Sequence, residues 1–150
     1  MAEKKRFTSR LAVYLVLIHD GKILLSLRQN TGFADGLYSL ISGHVDEGET
    51  IRHAMVREAQ EEVAIKLEPQ NLKLVHVMQR QGMYHYIEFY FMCTTFAGNP
   101  LNCEPEKCGD VRFFQVNHLP ENIADNVRKA LKEISLNNNY SEYGNFNNNP

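Results

Sequence analysis

Three glutamates, Glu58, Glu61 and Glu62, stand at positions i, i+3 and i+4 directly after Arg57. In a helix that spacing sets all three carboxylates on one stripe about 100° wide. Upstream, Gly43-His-Val-Asp-Glu-Gly-Glu49 adds to the charge, so that residues 43–65 hold six acidic and two basic side chains. Like charges at i, i+4 destabilise a helix by roughly 0.2–0.5 kcal/mol. Glu61 and Glu62 also fall near the helix C-terminus, where the macrodipole disfavours carboxylates. A bound divalent cation removes both conflicts, and hard oxygen donors select Mg²⁺ or Mn²⁺ over zinc. From spacing alone, a solvated acidic face partly offset by Arg52 and Arg57 is the other reading.

The elements that must position this stripe follow from pattern. Thr50 to Val63 contains no interior Gly or Pro, and Thr50 suits an N-cap. Met55, Val56, Ala59 and Val63 share one arc and should face the core. Before this helix, the apolar runs Leu11–Ile18 and Lys22–Leu27 flank Asp20-Gly21, a hairpin signal. Gln29 to Gly36 reads as a loop, Leu37–Ile41 as a short strand, and Ser42-Gly43 as a turn. Leu72–Met78 and Tyr84–Thr94 read as strands; in the second, Tyr84, Tyr86, Glu88 and Tyr90 alternate with His85, Ile87, Phe89 and Phe91. A long loop spans Phe96 to Gly109, a strand Val111–Val116, and a helical pattern Ile123–Ile134, with Pro120 suited to its start. The order β-β-β-α-β-β-β-α predicts one domain with a mixed sheet and a helix on each face.

Composition bounds the function. The 150 residues suit one domain, and 43% hydrophobic with 23% charged residues excludes collagen-like repeats and wholesale disorder. Sixteen Lys/Arg against 18 Asp/Glu give a net charge of -2, so no stable nucleic-acid partner is expected. The longest apolar run, Leu11 to Ile18, is far short of the ~18 residues of a membrane span. Three cysteines, an odd number without zinc-pair spacing, point to a reducing cytoplasm. Residues 1–7 are basic and expected to be flexible, residues 8–136 form the domain, and residues 137–150, with seven Asn and no aliphatic side chain, are expected to be a disordered tail.

With these residues set out, Gly43, Glu49, Arg57-Glu58, Ala59, Glu61-Glu62 and Ile65 resemble the Nudix box: Gly, five residues, Glu, seven residues, Arg-Glu, an apolar residue, any residue, Glu-Glu, any residue, Gly, apolar. Every charged position matches. Ala64 departs from the box glycine, and Leu40-Ile41-Ser42-Gly43 stands where many members carry Leu-Pro-Gly-Gly. Tyr84 to Phe91, Asn102-Cys-Glu-Pro-Glu-Lys-Cys108 and Val111-Arg-Phe-Phe extend the likeness over residues 10–135, toward the MutT-homologue branch of nucleotide triphosphate diphosphatases. The resemblance implies an α/β Nudix fold, an α/β/α sandwich with a mixed β-sheet between helices.

It also implies site roles. Glu58, Glu62 and the main-chain carbonyl of Gly43 are the candidate metal ligands, and Glu61 would ligate metal or take the proton of the attacking water, a role shared as a candidate with a loop carboxylate. Arg57 would orient a glutamate, and Glu49 would steady the loop–helix junction. Arg28 is a candidate phosphate contact, its other reading being a surface charge. Glu104 and Glu106 lie in the long loop, and Glu106 is the candidate extra ligand, base or substrate contact. Phe91 is a candidate to stack on a base, as are Tyr90, Phe33 and Tyr38. His44 and His85 are not expected to bind a hard metal. The implied activity is Mg²⁺-dependent cleavage of a nucleoside triphosphate to monophosphate and pyrophosphate, with a homodimer implied as well. The alternatives are hydrolysis of ADP-ribose or another nucleoside-diphosphate derivative, a nucleotide-binding module without catalysis, and RNA decapping.

Overall fold

A computed structural model describes residues 4–147. Eight strands and two helices follow one another: β1 (Arg10–His19), β2 (Lys22–Arg28), β3 (Tyr38–Ser39), β4 (Ile41–His44), α1 (Ile51–Val63), β5 (Lys73–Gln81), β6 (His85–Cys93), β7 (Cys108–Gln115), α2 (Asp125–Ser135) and β8 (Tyr140–Gly144). A single 3₁₀ turn at Pro69–Asn71 precedes β5.

The sheet is mixed, as the order of elements led us to expect, and β1 is its hub. Along its length β1 pairs in parallel with β6, from Arg10↔Tyr86 to Leu17↔Cys93. Its first half also pairs antiparallel with β4, and its last residues turn through Asp20-Gly21 into β2. Both turn residues have positive φ, 49° and 70°, as a tight hairpin requires. Outward from β6 lie β5 and then β8, while β2 carries β3 and β7.

Alternation along β1 separates two cores. Val13, Leu15 and Leu17 face α1 and pack with Met55, Ala59 and Val63; Ala12, Tyr14 and Val16 face the other side, with Val127 and Ala130 of α2. The result is the α/β/α sandwich. Thr50 caps α1, its hydroxyl accepting from the His53 amide at 3.2 Å. Ala64 ends that helix in the left-handed region at φ 56°, the conformation for which glycine is the usual residue.

Three expectations change, the first being that Ser42-Gly43 is not a turn but the middle of β4, paired with Tyr14 and Val13 of β1. Residues 140–144 are not a disordered tail: they form an edge strand parallel to β5, from Val77↔Tyr140 to Gln81↔Gly144. The buried His76 ring fastens this strand, its Nδ1 at 2.8 Å from Asn138 O and its Nε2 at 2.7 Å from Ser141 Oγ. Main-chain pairing needs no aliphatic side chain, so composition misses it. The remainder of that expectation, at residues 148–150, lies outside the described residues, as do residues 1–3 of the basic start. Pro120 does not open α2, which begins at Asp125. Among the described residues no helix is long and apolar enough to cross a membrane.

Candidate active site

The loop before α1 and the acidic stripe are tied together by Arg57. Its Nη2 donates to Glu49 Oε1 at 2.7 Å and to the His44 carbonyl at 2.9 Å. Its Nη1 donates to Glu58 Oε1 at 2.8 Å and to Glu61 Oε2 at 3.2 Å. Glu49 in turn accepts from the Asp46 amide at 2.8 Å. The guanidinium holds the Glu49 carboxyl below the usual carboxylate range. A planar fork that bonds three acids and a main-chain carbonyl fixes their relative placement in a way a lysine point charge could not.

Beyond this clamp the carboxylates turn inward. Glu58 lies against the backbone of Gly43 so closely that a Cβ there would overlap its carboxyl group. A side chain at residue 43 would therefore displace the Glu58 carboxylate from this position. Glu62 is half-buried and accepts from the Ser42 amide at 3.3 Å. Burial first, and then the charges of Glu58 and Glu104, push its carboxyl up to about 8. Burial also raises Glu58, against the pull of Arg57.

Glu104 reaches this group because the long loop caps α1. The helix leaves its last carbonyls without internal partners. Leu101 N donates to Val63 O and Cys103 N to Glu62 O, each at 3.0 Å. The next residue, Glu104, then faces the same cavity as Glu58 and Glu62.

That cavity measures about 670 Å³. Two groups of side chains line it. Glu58, Glu61, Glu62 and Glu104 make one; Tyr14, Arg80, Tyr86 and Asn126 make the other. Arg28, Phe33 and Lys107 also line it. Arg28 is already engaged with its own loop, donating to Phe33 O at 2.8 Å and Thr31 Oγ1 at 3.1 Å.

Four candidates from the sequence lie elsewhere, Tyr38 and Tyr90 among them, both buried and off the cavity lining. Glu106 is exposed and does not line the cavity; the turn that begins at Glu104 carries it outward, and its carbonyl accepts from Asn30 Nδ2 at 3.0 Å. Phe91 is fully buried in the core beneath α1, with the Arg52 guanidinium 5.5 Å from its ring centre. Strand alternation sends it to the α1 face, away from any base.

A second feature was not foreseen. Glu88 of β6 is fully buried and is met by the Arg80 guanidinium, by Tyr14 Oη at 3.2 Å and by Tyr90 Oη at 2.8 Å. Asn126 Nδ2, from the first turn of α2, stands 3.5 Å from the same carboxylate and 3.5 Å from Tyr14 Oη. The available signal was Glu88 itself, a charge on a strand face shared with Tyr86 and Tyr90.

The NUDIX domain pattern matches residues 8–134. The chain belongs to the Nudix family. It is 30% identical over 139 residues to the ADP-ribose pyrophosphatase of Methanocaldococcus jannaschii, covering 87% of this chain and 80% of that protein. It is 28% identical over 123 residues to the NAD-capped RNA hydrolase NudC of Stutzerimonas stutzeri, covering 81% of this chain but spanning only 43% of that relative's length. Among solved structures, a MutT Nudix hydrolase from Burkholderia pseudomallei superposes with a TM-score of 0.78 at 27% identity, over 84% of this chain and 98% of its own. The Arg57–Glu62 stripe falls inside the matched residues.

The donor set fits a divalent cation. It comprises carboxylates and a main-chain carbonyl, and Glu58 sits in a cradle that a side chain at residue 43 would fill. Among the described residues no group of three or more His, Cys, Asp or Glu side chains is gathered closely enough to hold a metal ion by itself.

Proposed function

We propose that this Nudix hydrolase cleaves the pyrophosphate bond of a nucleoside 5′-diphosphate linked to a further group, releasing a nucleoside monophosphate. The observation that carries the reading is one cavity lined both by Glu58, Glu61, Glu62 and Glu104 and by Tyr14, Arg80, Tyr86 and Asn126. Glu58, Glu62 and the Gly43 carbonyl would hold Mg²⁺, or Mn²⁺ as a substitute. The ion would neutralise the diphosphate, polarise a phosphoryl oxygen and lower the pKa of bound water.

The remaining work falls to the chain. Arg57 holds Glu58 and Glu61 in register with the loop. Glu61 or Glu104 would accept the water's proton, Glu104 replacing Glu106 as the loop carboxylate because it faces the cavity. Arg28 and Lys107, on the cavity lining, would attract the phosphates. Little covalent chemistry is required of the protein, so placement and charge dominate.

Similarity to the M. jannaschii protein over most of both chains favours ADP-ribose or a related nucleoside-diphosphate derivative. The likeness to the Burkholderia MutT structure supports a second reading, a nucleoside triphosphate cleaved to monophosphate and pyrophosphate. Incubation with ADP-ribose, NADH, ATP and dGTP in Mg²⁺ or Mn²⁺, with chromatography of the products, separates them. AMP plus ribose 5-phosphate supports the first, and monophosphate plus pyrophosphate the second. No cleavage of any member of the panel would overturn both.

A further inference from the structure

The Glu88 network touches the cavity without belonging to the metal chemistry. Glu88 has no exposed surface, whereas three of its partners, Tyr14, Arg80 and Asn126, line the cavity. An ionised carboxylate can only accept hydrogen bonds. Tyr14, Tyr90 and Arg80 must therefore donate to it, and the Asn126 amide must present its NH₂. The opposite amide orientation would set two oxygens against each other. The Asn126 oxygen is thereby turned away from Glu88. Among the described residues it accepts no hydrogen bond, yet it is not sealed from solvent. Burial and the Glu88 charge both raise the Tyr14 hydroxyl well above its usual range, so it remains a donor to Glu88.

Arg80 is fixed from two sides as well. Its guanidinium carbon lies 4.4 Å from the Tyr86 ring centre and 5.3 Å from that of Phe33, while its Nε is committed to Glu88. Phe33 is half-exposed and Tyr86 partly so, leaving aromatic surface on the same cavity lining as the Asn126 acceptor. A cavity that offers both an acceptor and aromatic faces suits a planar ring whose edge carries an N–H donor.

We propose that Glu88 is a positioning residue for nucleobase recognition: it locks the Asn126 amide so that its oxygen accepts an N–H from the base edge. The inference rests on the cavity being a nucleotide site. Glu88 does not touch the ligand; it removes the alternative amide orientation that would present a donor instead.

The test is direct binding, independent of cleavage. Calorimetry with the full chain compares AMP and GMP with purine riboside 5′-monophosphate, which stacks alike but has no N–H on its base edge. The better of AMP and GMP should bind about 10-fold more tightly than the analogue, as expected when a buried acceptor is left unpaired. Asn126→Ala should bring that ratio below about 3-fold. Glu88→Gln should do the same with Asn126 intact, because glutamine tolerates either amide orientation. Paired with Arg80→Gln, the Glu88→Gln variant avoids stranding a buried charge and guards against simple unfolding. A merely structural role for Glu88 would weaken all three ligands alike and leave the ratio unmoved. A ratio near one in the unmodified protein, no binding of any of the three, or a ratio that survives Asn126→Ala overturns the proposal. Cleavage of nucleotides with a ratio near one removes this inference alone; a normal ratio without cleavage removes the hydrolytic reading alone.

Discussion

Two carboxylate clusters lie at one cavity, one lining it and one behind its wall, and they are balanced in opposite ways. Glu88 is enclosed and has Arg80, Tyr14, Tyr90 and Asn126 around its two oxygens. Glu62 is half-buried beside Glu58 and Glu104, with one amide from Ser42 and no paired cation among the described residues. Fold stability requires the first arrangement and is opposed by the second. Carboxylates held close together without compensation are a reservoir that a bound cation can release. A satisfied carboxylate offers nothing to a cation and instead fixes its neighbours.

Replacing each carboxylate should therefore give opposite results. The largest expected effect is on catalysis: Glu62→Gln should lower kcat by about 10²-fold or more, measured in Mg²⁺ at saturating substrate. Glu88→Ala should act mainly on stability, at a cost of about 3–5 kcal/mol by denaturant unfolding, because Arg80 is left buried and unpaired. In the metal-free protein at pH 8, Glu62→Gln should instead stabilise, on the order of 2 kcal/mol, by removing a carboxyl that folding disfavours ionising. Similar stability changes for the two variants would erase the contrast.

The pH dependence has a defined direction. The folded Glu62 carboxyl is raised to about 8 from a reference of 4.5. Between those values the unfolded chain loses this proton while the folded chain keeps it. The metal-free protein should accordingly lose stability from about pH 5 to pH 8, and Mg²⁺ should restore it at the upper end. Thermal melts across that range check both. A smaller contrast separates neighbours in the loop: Glu104→Gln should reduce kcat/KM by roughly 10-fold, the range of a positioned proton acceptor or metal partner, and Glu106→Gln by less than about 2-fold. Smallest is Ala64→Gly, which relieves a left-handed Cβ and should add about 0.5–1 kcal/mol to stability.

The two groups also differ in how far the sequence discloses them. Glu58, Glu61 and Glu62 sit on one helix, so helical spacing is enough to gather them, and the box pattern supplies Gly43 and Arg57. Tyr14, Arg80, Glu88 and Asn126 come from β1, β5, β6 and α2. No local period brings four elements together; only the parallel β1–β6 register and the seating of α2 do. Glu104 and Glu106 show the same limit within one loop. Two carboxylates two residues apart are equivalent on paper, and the choice falls to the amides that cap α1. Alternation marked β6 correctly as a strand, but assigning Phe91 to a base required knowing which face α1 covers. The edge strand β8 left still less trace, since its pairing is main-chain and its composition polar.

The most direct test of the uncompensated carboxylate group is anomalous diffraction from crystals grown with Mn²⁺. A peak is expected against Glu58, Glu62 and the Gly43 carbonyl, with Arg57 still on Glu49. An active enzyme whose crystals show no manganese there, or show it bound at another site, would contradict that assignment.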